Sequence, residues 1–173
     1  MRRKFCDIRI LLIAAAVTLI FLETRMMIGV EEKKEVPVAA VVIMACNRPD
    51  YLERTIKSVL EYQRPIATKF PLFISQDGTN PNVKTKARSY NQITYMQHVT
   101  SGPVNTERQG ELVAYYKIAR HYKWALDKLF FIHGFSRVII LEDDMEIAPD
   151  FFDYFEAAAA LLDKDKYAPF QLF

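Results

Sequence analysis

The sequence predicts an α/β protein with a mostly parallel sheet. Apolar stretches of strand length alternate with stretches in which apolar residues recur at helical spacing, and this alternation is typical of a parallel sheet. Residues 38–45, "VAAVVIMA", are continuously apolar and rich in β-branched side chains, as expected of a central strand buried on both faces. The 173 residues, with 51% hydrophobic content, suffice for one domain or a large part of one.

The remaining elements follow from the same patterns. After the first strand, Asp50 is expected to cap a helix, with Glu53 as its capping-box partner. Pro149 suits the first turn of the last helix. Further strands are predicted at residues 71–75, 93–98 and 137–141, and further helices at 84–90 and 111–131. The apolar face of the longer helix is expected to comprise Leu112, Tyr115, Ala119, Tyr122, Leu126 and Leu129.

The amino end predicts a membrane anchor. Arg2, Arg3 and Lys4 precede an apolar run at residues 10–22, and such a pair is typical of a signal anchor or a cleaved signal peptide. We favour the anchor, because residues 23–25, "ETR", do not resemble a cleavage site. The predicted organisation is a cytosolic tail at 1–9, a signal-anchor transmembrane helix at 10–30, a charged linker at 31–35 and a lumenal globular part at 36–173.

Charge and cysteine content exclude two classes. A net charge of +2 argues against a general nucleic-acid binder, which would carry a basic stripe. With the predicted anchor, Cys6 would lie at the membrane face or in the cytosol, so it is not expected to pair with Cys46, and no disulfide framework is implied. Cys46 ends an apolar strand and is expected to be a small buried hydrophobe.

Polar side chains follow three of the predicted strands. Arg48 follows the first strand, Asp77 the second, and the cluster Glu142, Asp143 and Asp144 the last. The carboxyl ends of parallel strands meet at one edge of a sheet, where ligands of α/β proteins bind. This edge is therefore expected to carry an arginine and several carboxylates.

Adjacent carboxylates repel one another unless a positive charge offsets them. A divalent cation does so, since carboxylate oxygens suit magnesium and manganese, which often take further ligands from substrate phosphates. Arg48 would then bind the phosphates. Alternatives remain: a phosphoacceptor pocket for the cluster, an Asp-Gly turn for Asp77, an exposed loop position for Arg48, and a surface or packing role for His121.

Four stretches, spanning about residues 36–165, resemble the N-acetylglucosaminyltransferase I family. They are "VIMACNRPDYLERTIKSVLEY", "FPLFISQDG", "YYKIARHYKWAL" and "VIILEDDMEIAPDFFDYFEA". The resemblance implies a GT-A fold with a Rossmann-like half that binds UDP-N-acetylglucosamine and manganese (Mn2+). It implies an inverting glycosyltransferase that adds N-acetylglucosamine, in β-1,2 linkage, to the α-1,3 mannose arm of high-mannose N-glycans on glycoproteins. The location implied is the Golgi membrane, as a single-pass type II protein.

The resemblance also implies roles for residues of this chain. Arg48, Asp77 and His121 are expected to contact the nucleotide-sugar, as is Asp143. Glu142 is expected to approach the donor sugar, and Asp144 to bind the manganese ion.

Two departures from the family pattern accompany these expectations. The anchor leads into the first strand without the family's long stem, and the chain stops at "KYAPFQLF", where the family continues with the acceptor site and a catalytic aspartate. The general base is therefore expected beyond Phe173, and this chain is expected to be inactive alone. The alternatives to an enzyme are an inactive membrane-anchored fragment that binds UDP and manganese, and an interaction module.

Overall fold

The computed structural model describes residues 36–100, 102 and 112–164, together with Thr18. The chain divides into two compact units, Met1–Lys34 and Glu35–Phe173. The predicted tail, signal-anchor helix and linker, residues 1–35, lie outside the described residues except for Thr18, which is helical. Within the described part, no helix has the length and apolar character needed to cross a membrane.

The described part of the second unit alternates between strands and helices, as predicted. The strands are β1 (Ala40–Ala45), β2 (Leu72–Asp77), β3 (Ile93–His98) and β4 (Val138–Glu142). The helices are α1 (Pro49–Gln63), α2 (Pro81–Arg88), α3 (Val113–Asp127) and α4 (Phe151–Leu162). Helix α3 continues into a π-helical turn at Lys128–Ile132.

The strands form a parallel sheet in the order β3-β2-β1-β4, which confirms the predicted α/β class and fits a Rossmann-like domain. The chain runs from β1 to β2 to β3 on one side, then returns to place β4 on the other side of β1. The strand order therefore reverses between β1 and β4. In open α/β sheets, the crevice at such a reversal is where ligands bind.

Both faces of the sheet are covered by helices. Because side chains alternate along a strand, Val41 and Ile43 pack on one side, in a core with α1, α2 and α4. Val42 and Met44 pack on the other side, with Ala125 of α3. All six residues of β1 are buried, as predicted for a central strand.

Several predicted helix starts are wrong, and α2 begins at Pro81, before the predicted residue 84. Helix α1 begins at Pro49, so Asp50 lies inside the first turn and does not cap it. Glu53 forms no capping box, because its carboxylate pairs with Lys57 and Lys86. Pro149 lies in a turn before α4, which begins at Phe151.

The predicted apolar face of α3 is confirmed at Leu129, Tyr122 and Leu126, which lie in the core or pack against it, and is wrong at its beginning. Leu112 and Tyr115 are exposed by 64% and 67%, whereas the buried positions of the helix and its π turn are His121, Ala125 and Leu129. These three residues are spaced four apart and form one row along the helix. The pattern of apolar residues did not predict this row, because a histidine occupies one of the positions that face the sheet.

Candidate functional site

An open cleft of about 270 Å³ lies at the carboxyl ends of the strands, where the strand order reverses. Residues from the end of β1, β2, α3 and β4 line it. They are Met44, Ala45, Cys46, Asn47, Arg48, Asp77, Ile118, His121, Tyr122, Glu142 and Asp143. The predicted gathering of polar side chains at this edge is thus observed.

Arg48 joins the two strands on either side of the reversal. Its Nη1 donates to Oδ2 of Asp144 at 3.0 Å, and its Nη2 donates to Oδ1 of Asp143. The guanidinium also lies over the ring of Tyr51, 5.1 Å from its centroid. A single cation therefore offsets the charge of two adjacent carboxylates, and the side chain of Arg48 remains 43% exposed to the cleft.

Asp143 and Asp144 occupy different environments. The side chain of Asp143 is 4% exposed and that of Asp144 is 38% exposed. Burial raises the pKa of Asp143 above its usual value, although Arg48 and the backbone N–H of Cys46 act in the opposite direction. The hydrogen bond to Asp143 raises the pKa of Arg48 in turn. Asp143 is therefore the fixed member of the pair and Asp144 the accessible one.

Glu142, the last residue of β4, is held by Tyr122 of α3. The Tyr122 hydroxyl donates to Oε1 of Glu142 at 2.9 Å. Burial, followed by this hydrogen bond, raises the pKa of Tyr122 to about 12. The tyrosine thus stays a neutral donor at physiological pH and orients a carboxylate at the mouth of the cleft.

Asp77 ends β2 and is fixed from β3. Its Oδ1 lies 2.9 Å from Nδ1 of His98. The next residue, Gly78, has a φ of 80°, a conformation that glycine adopts readily, and its N–H donates to the His98 carbonyl at 2.8 Å. Asp77 is therefore the last residue of β2, at the cleft, and a bend at Gly78 follows it.

His121 is buried and not on the surface. Its Nε2 lies 2.8 Å from the Ser75 hydroxyl, and its ring stacks on that of His98 with 5.6 Å between centroids. Burial lowers the pKa of His121 to about 4, with a smaller contribution from His98 in the same direction. The imidazole is therefore neutral at physiological pH and presents hydrogen-bonding atoms without a charge.

Cys46 departs from expectation, because it is exposed and lines the cleft. It lies just past the end of β1, beyond the part that the helices cover. Partial burial, then the nearby carboxylates Asp77 and Asp143, raise the pKa of the thiol above its usual value. The thiol therefore remains protonated at neutral pH, and the prediction that it packs in the core is wrong.

Among the described residues, no group of three or more His, Cys, Asp or Glu side chains is arranged to hold a metal ion. A cation at this edge would take most of its ligands from water and from a bound diphosphate, an arrangement common for magnesium. Asp144 suits that role, since its carboxylate is accessible and hard cations prefer oxygen ligands. This edge of the sheet therefore offers a hard cation the accessible carboxylate of Asp144.

The chain matches the model of the GNT-I family over residues 12–168. The chain belongs to the GNT-I family. The match takes in β1 to α4, and with them every residue that lines the cleft. The resemblance inferred from four short stretches is therefore confirmed over almost the whole chain.

A member of this family in Arabidopsis thaliana is named alpha-1,3-mannosyl-glycoprotein 2-beta-N-acetylglucosaminyltransferase. This chain is 75% identical to it over 132 residues, which cover 76% of this chain and 30% of the relative. The chain thus spans about a third of the length of that GNT-I relative.

The structure places most of the site residues expected from the GNT-I resemblance in one cleft. Arg48, Glu142, Asp143, Asp77 and His121 line it, and Asp144 lies beside it in contact with Arg48. Their roles in binding stay predictions.

Three contacts of the expected site residues were not predicted. They are the contact of Ser75 with His121, that of His98 with Asp77, and that of Tyr122 with Glu142. His98 could have been found, because it ends the third predicted strand and so lies at the same edge.

Proposed function

We propose that this chain is the nucleotide-sugar-binding part of a GT-A glycosyltransferase of N-glycan processing. The donor would be UDP-N-acetylglucosamine, and the acceptor the α-1,3 mannose arm of a high-mannose N-glycan on a glycoprotein. Transfer would invert the anomeric centre and form a β-1,2 linkage. The protein would lie in the Golgi membrane as a single-pass type II protein, with the cleft lumenal. Family membership and the name of the Arabidopsis thaliana relative support this assignment.

The contact of Arg48 with Asp143 and Asp144 across the strand reversal carries the proposal. It concentrates one cation and two carboxylates at the position where α/β folds bind nucleotides. A planar guanidinium can donate two parallel hydrogen bonds to a phosphate, as it does to a carboxylate. The exposed part of Arg48 is thus suited to the diphosphate of the donor.

Two further residues that line the cleft, Asp77 and His121, suit the uncharged part of the nucleotide. Asp77 supplies a carboxylate acceptor, and His121 supplies a neutral imidazole. The uracil imide and the ribose hydroxyls are donors that match such acceptors. Glu142, which accepts a hydrogen bond from Tyr122, would approach the sugar of the donor.

Asp144 is the residue that would hold manganese, together with phosphate oxygens of the donor. Such an ion, when bound, offsets the negative charge that develops on the departing diphosphate. Arg48 contributes positive charge to the same region, because its guanidinium contacts both aspartates.

Calorimetry of the full chain with UDP, in the presence and absence of manganese, tests the binding half of this proposal. The chain is kept in a mild detergent, since residues 10–22 are apolar. Saturable UDP binding that strengthens with manganese is expected, and GDP serves as the matched control ligand. Equal, weak responses to UDP and GDP would overturn the proposal.

A second candidate function, binding of the donor without transfer, is favoured by a specific observation. Transfer needs a base that deprotonates the attacking hydroxyl. The described carboxylates of the cleft and its edge already have partners: Asp77 has His98, Glu142 has Tyr122, and Asp143 and Asp144 have Arg48.

These contacts favour binding roles for the four carboxylates. We therefore expect this chain alone to form no glycan product. Incubation with UDP-N-acetylglucosamine and a mannose-terminated glycan, analysed by mass shift, tests this expectation. The full-length Arabidopsis thaliana relative is the positive control. Turnover within about tenfold of that control would refute the second candidate, because a general base typically contributes at least about a hundredfold.

A further inference from the structure

Four polar side chains form one connected cluster beside the cleft. They are Ser75 and Asp77 of β2, His98 of β3 and His121 of α3. Ser75 and Asp77 are two residues apart, so their side chains lie on the same face of the sheet, which α3 covers. Asp77 and His121 line the cleft, whereas Ser75 is fully buried behind them.

The backbone sets the relationship between Asp77 and His98. The two residues are register partners at the carboxyl ends of adjacent parallel strands. The hydrogen bond from the Gly78 N–H to the His98 carbonyl, at 2.8 Å, continues this pairing one residue further. Gln97 makes a second hydrogen bond to Gly78, because its Nε2 donates to the Gly78 carbonyl at 2.9 Å.

The ring of His98 packs against two side chains of α3. It stacks on His121 with 8° between the ring planes, and it contacts Trp124 with 5.2 Å between centroids. The side chain of His98 is 12% exposed and that of Asp77 is 23% exposed. Asp77 thus reaches the cleft, while His98 supports it from the protein side.

Only one oxygen of Asp77, Oδ1, is used in this contact. Within the described ranges, the second oxygen makes no hydrogen bond, so it is oriented by His98 and left for another donor. His98 at the same time packs against His121, which also lines the cleft. His98 therefore contacts both Asp77 and His121, and His121 is also held by Ser75.

We propose that His98 is a positioning residue that aims the carboxylate of Asp77 and the ring of His121 at the uridine of the bound donor. This inference rests on the proposed function. An oriented acceptor favours a ligand that presents an N–H or O–H at the matching place, and it disfavours an analogue that lacks the donor. Loss of the orientation is expected to lower selectivity more than overall binding.

Three variants of the full chain separate the hydrogen bond from packing. An asparagine places its amide nitrogen near the position of histidine Nδ1, so His98→Asn retains a donor to Asp77. A glutamine places it near Nε2, so His98→Gln is a polar control that does not reach Asp77. His98→Phe keeps a ring against His121 and removes the hydrogen bond.

The readout is selectivity for UDP, measured by calorimetry with UDP, CDP and 2′-deoxy-UDP. CDP lacks the imide donor, and 2′-deoxy-UDP lacks one ribose hydroxyl. We expect the native chain and His98→Asn to prefer UDP over at least one analogue by about tenfold or more, and His98→Gln and His98→Phe to lose most of that preference. Thermal unfolding shows whether each variant is folded.

The outcomes distinguish the inference from the proposed function. Native selectivity in folded His98→Gln and His98→Phe would overturn the inference and leave the proposed function intact. Failure of the native chain to bind UDP would overturn the proposed function. If the native chain does not bind UDP, its ligand-free crystal structure still tests the inference, because the absence of the Asp77–His98 contact would overturn it.

Discussion

Arg48 and Asp144 are 96 residues apart in the sequence, yet Nη1 of the one lies 3.0 Å from Oδ2 of the other. Arg48 follows β1 and Asp144 follows β4, so the contact spans the point where the strand order reverses. Without a ligand, the arginine neutralises carboxylates that would otherwise repel each other. Under the proposed function, the same guanidinium would also contact the phosphates of the bound nucleotide.

Replacement of Arg48 by alanine is expected to weaken UDP binding by about tenfold or more, because a charge-assisted hydrogen bond is lost and Asp143 is left buried without its partner. Arg48→Lys should recover only part of the affinity, since an ammonium cannot donate in a bidentate manner. Calorimetry measures both effects.

Arg54→Ala is the matched control for Arg48. Arg54 also lies against the Tyr51 ring, at 4.6 Å from its centroid, but it does not line the cleft. Native-like UDP binding is expected for this variant. An equal loss of affinity in the two variants would show that Arg48 acts only through general positive charge.

Asp144→Ala is expected to abolish the increase in UDP affinity that manganese produces, because the accessible carboxylate would be the protein's ligand to the ion. In the absence of metal, the substitution should change UDP affinity less. It should also reduce the repulsion between residue 144 and the adjacent carboxylate of Asp143. Titration of UDP at several manganese concentrations measures the coupling. Glu146→Ala, which removes another exposed carboxylate two residues away, should leave it unchanged. Intact coupling in Asp144→Ala would exclude this role.

Glu142→Gln is expected to weaken binding of UDP-N-acetylglucosamine several-fold, and to leave binding of UDP alone nearly unchanged, because Glu142 is proposed to approach the sugar of the donor. Tyr122→Phe tests the orientation of this carboxylate by removing the 2.9 Å hydrogen bond. This variant should weaken binding of UDP-N-acetylglucosamine less than Glu142→Gln does, and it should again affect that ligand more than UDP. Parallel titrations with the two ligands supply the comparison. Equal weakening for both ligands would place Glu142 at the nucleotide and not at the sugar.

Acid destabilisation should depend on His121. Its pKa in the folded chain is about 4, compared with 6.5 for an unperturbed histidine, so only the unfolded chain binds this proton between those values. Stability is therefore expected to fall as pH drops from 6.5 towards 4, by roughly 3 kcal/mol at most, and to be independent of His121 at higher pH.

Urea denaturation at several pH values measures this dependence in the native chain and in His121→Gln. The variant should show a shallower loss of stability below pH 6.5. Asp143, whose raised pKa acts in the opposite direction, is present in both chains and so cancels. His133→Gln controls for loss of an exposed histidine. Parallel pH curves for the native chain and His121→Gln would contradict the prediction.

Membrane attachment through residues 10–30 remains a prediction from sequence, since these residues lie outside the described part except for Thr18. The tagged full chain is expected to stay in the membrane pellet after carbonate extraction. Introduction of charged residues into the apolar run at 10–22 should release it. Release of the native chain would exclude a spanning anchor.

The sequence was sufficient to predict which polar side chains gather at the carboxyl edge of the sheet. It was not sufficient to predict how α3 packs on the sheet. Arg48 and the Glu142 to Asp144 cluster follow apolar strands directly, so parallel pairing alone brings them to one edge, whatever the strand order. The burial of His121 was not predictable from its neighbours on α3. Its hydrogen-bond partner, Ser75, lies 46 residues away on β2, and a histidine is expected inside only when such a partner is known.

The position of β4 beside β1 has a consequence for the order of folding. The units β1–α1–β2 and β2–α2–β3 close short loops, whereas the β1–β4 pairing joins strands nearly a hundred residues apart, such as Val41 and Ile139. Pairings between distant segments close late, because the loop entropy is lost before the contacts form. The cleft is therefore expected to be the last part of the sheet to assemble. In refolding experiments, nucleotide binding should return with the slowest phase, after most of the helical signal has recovered.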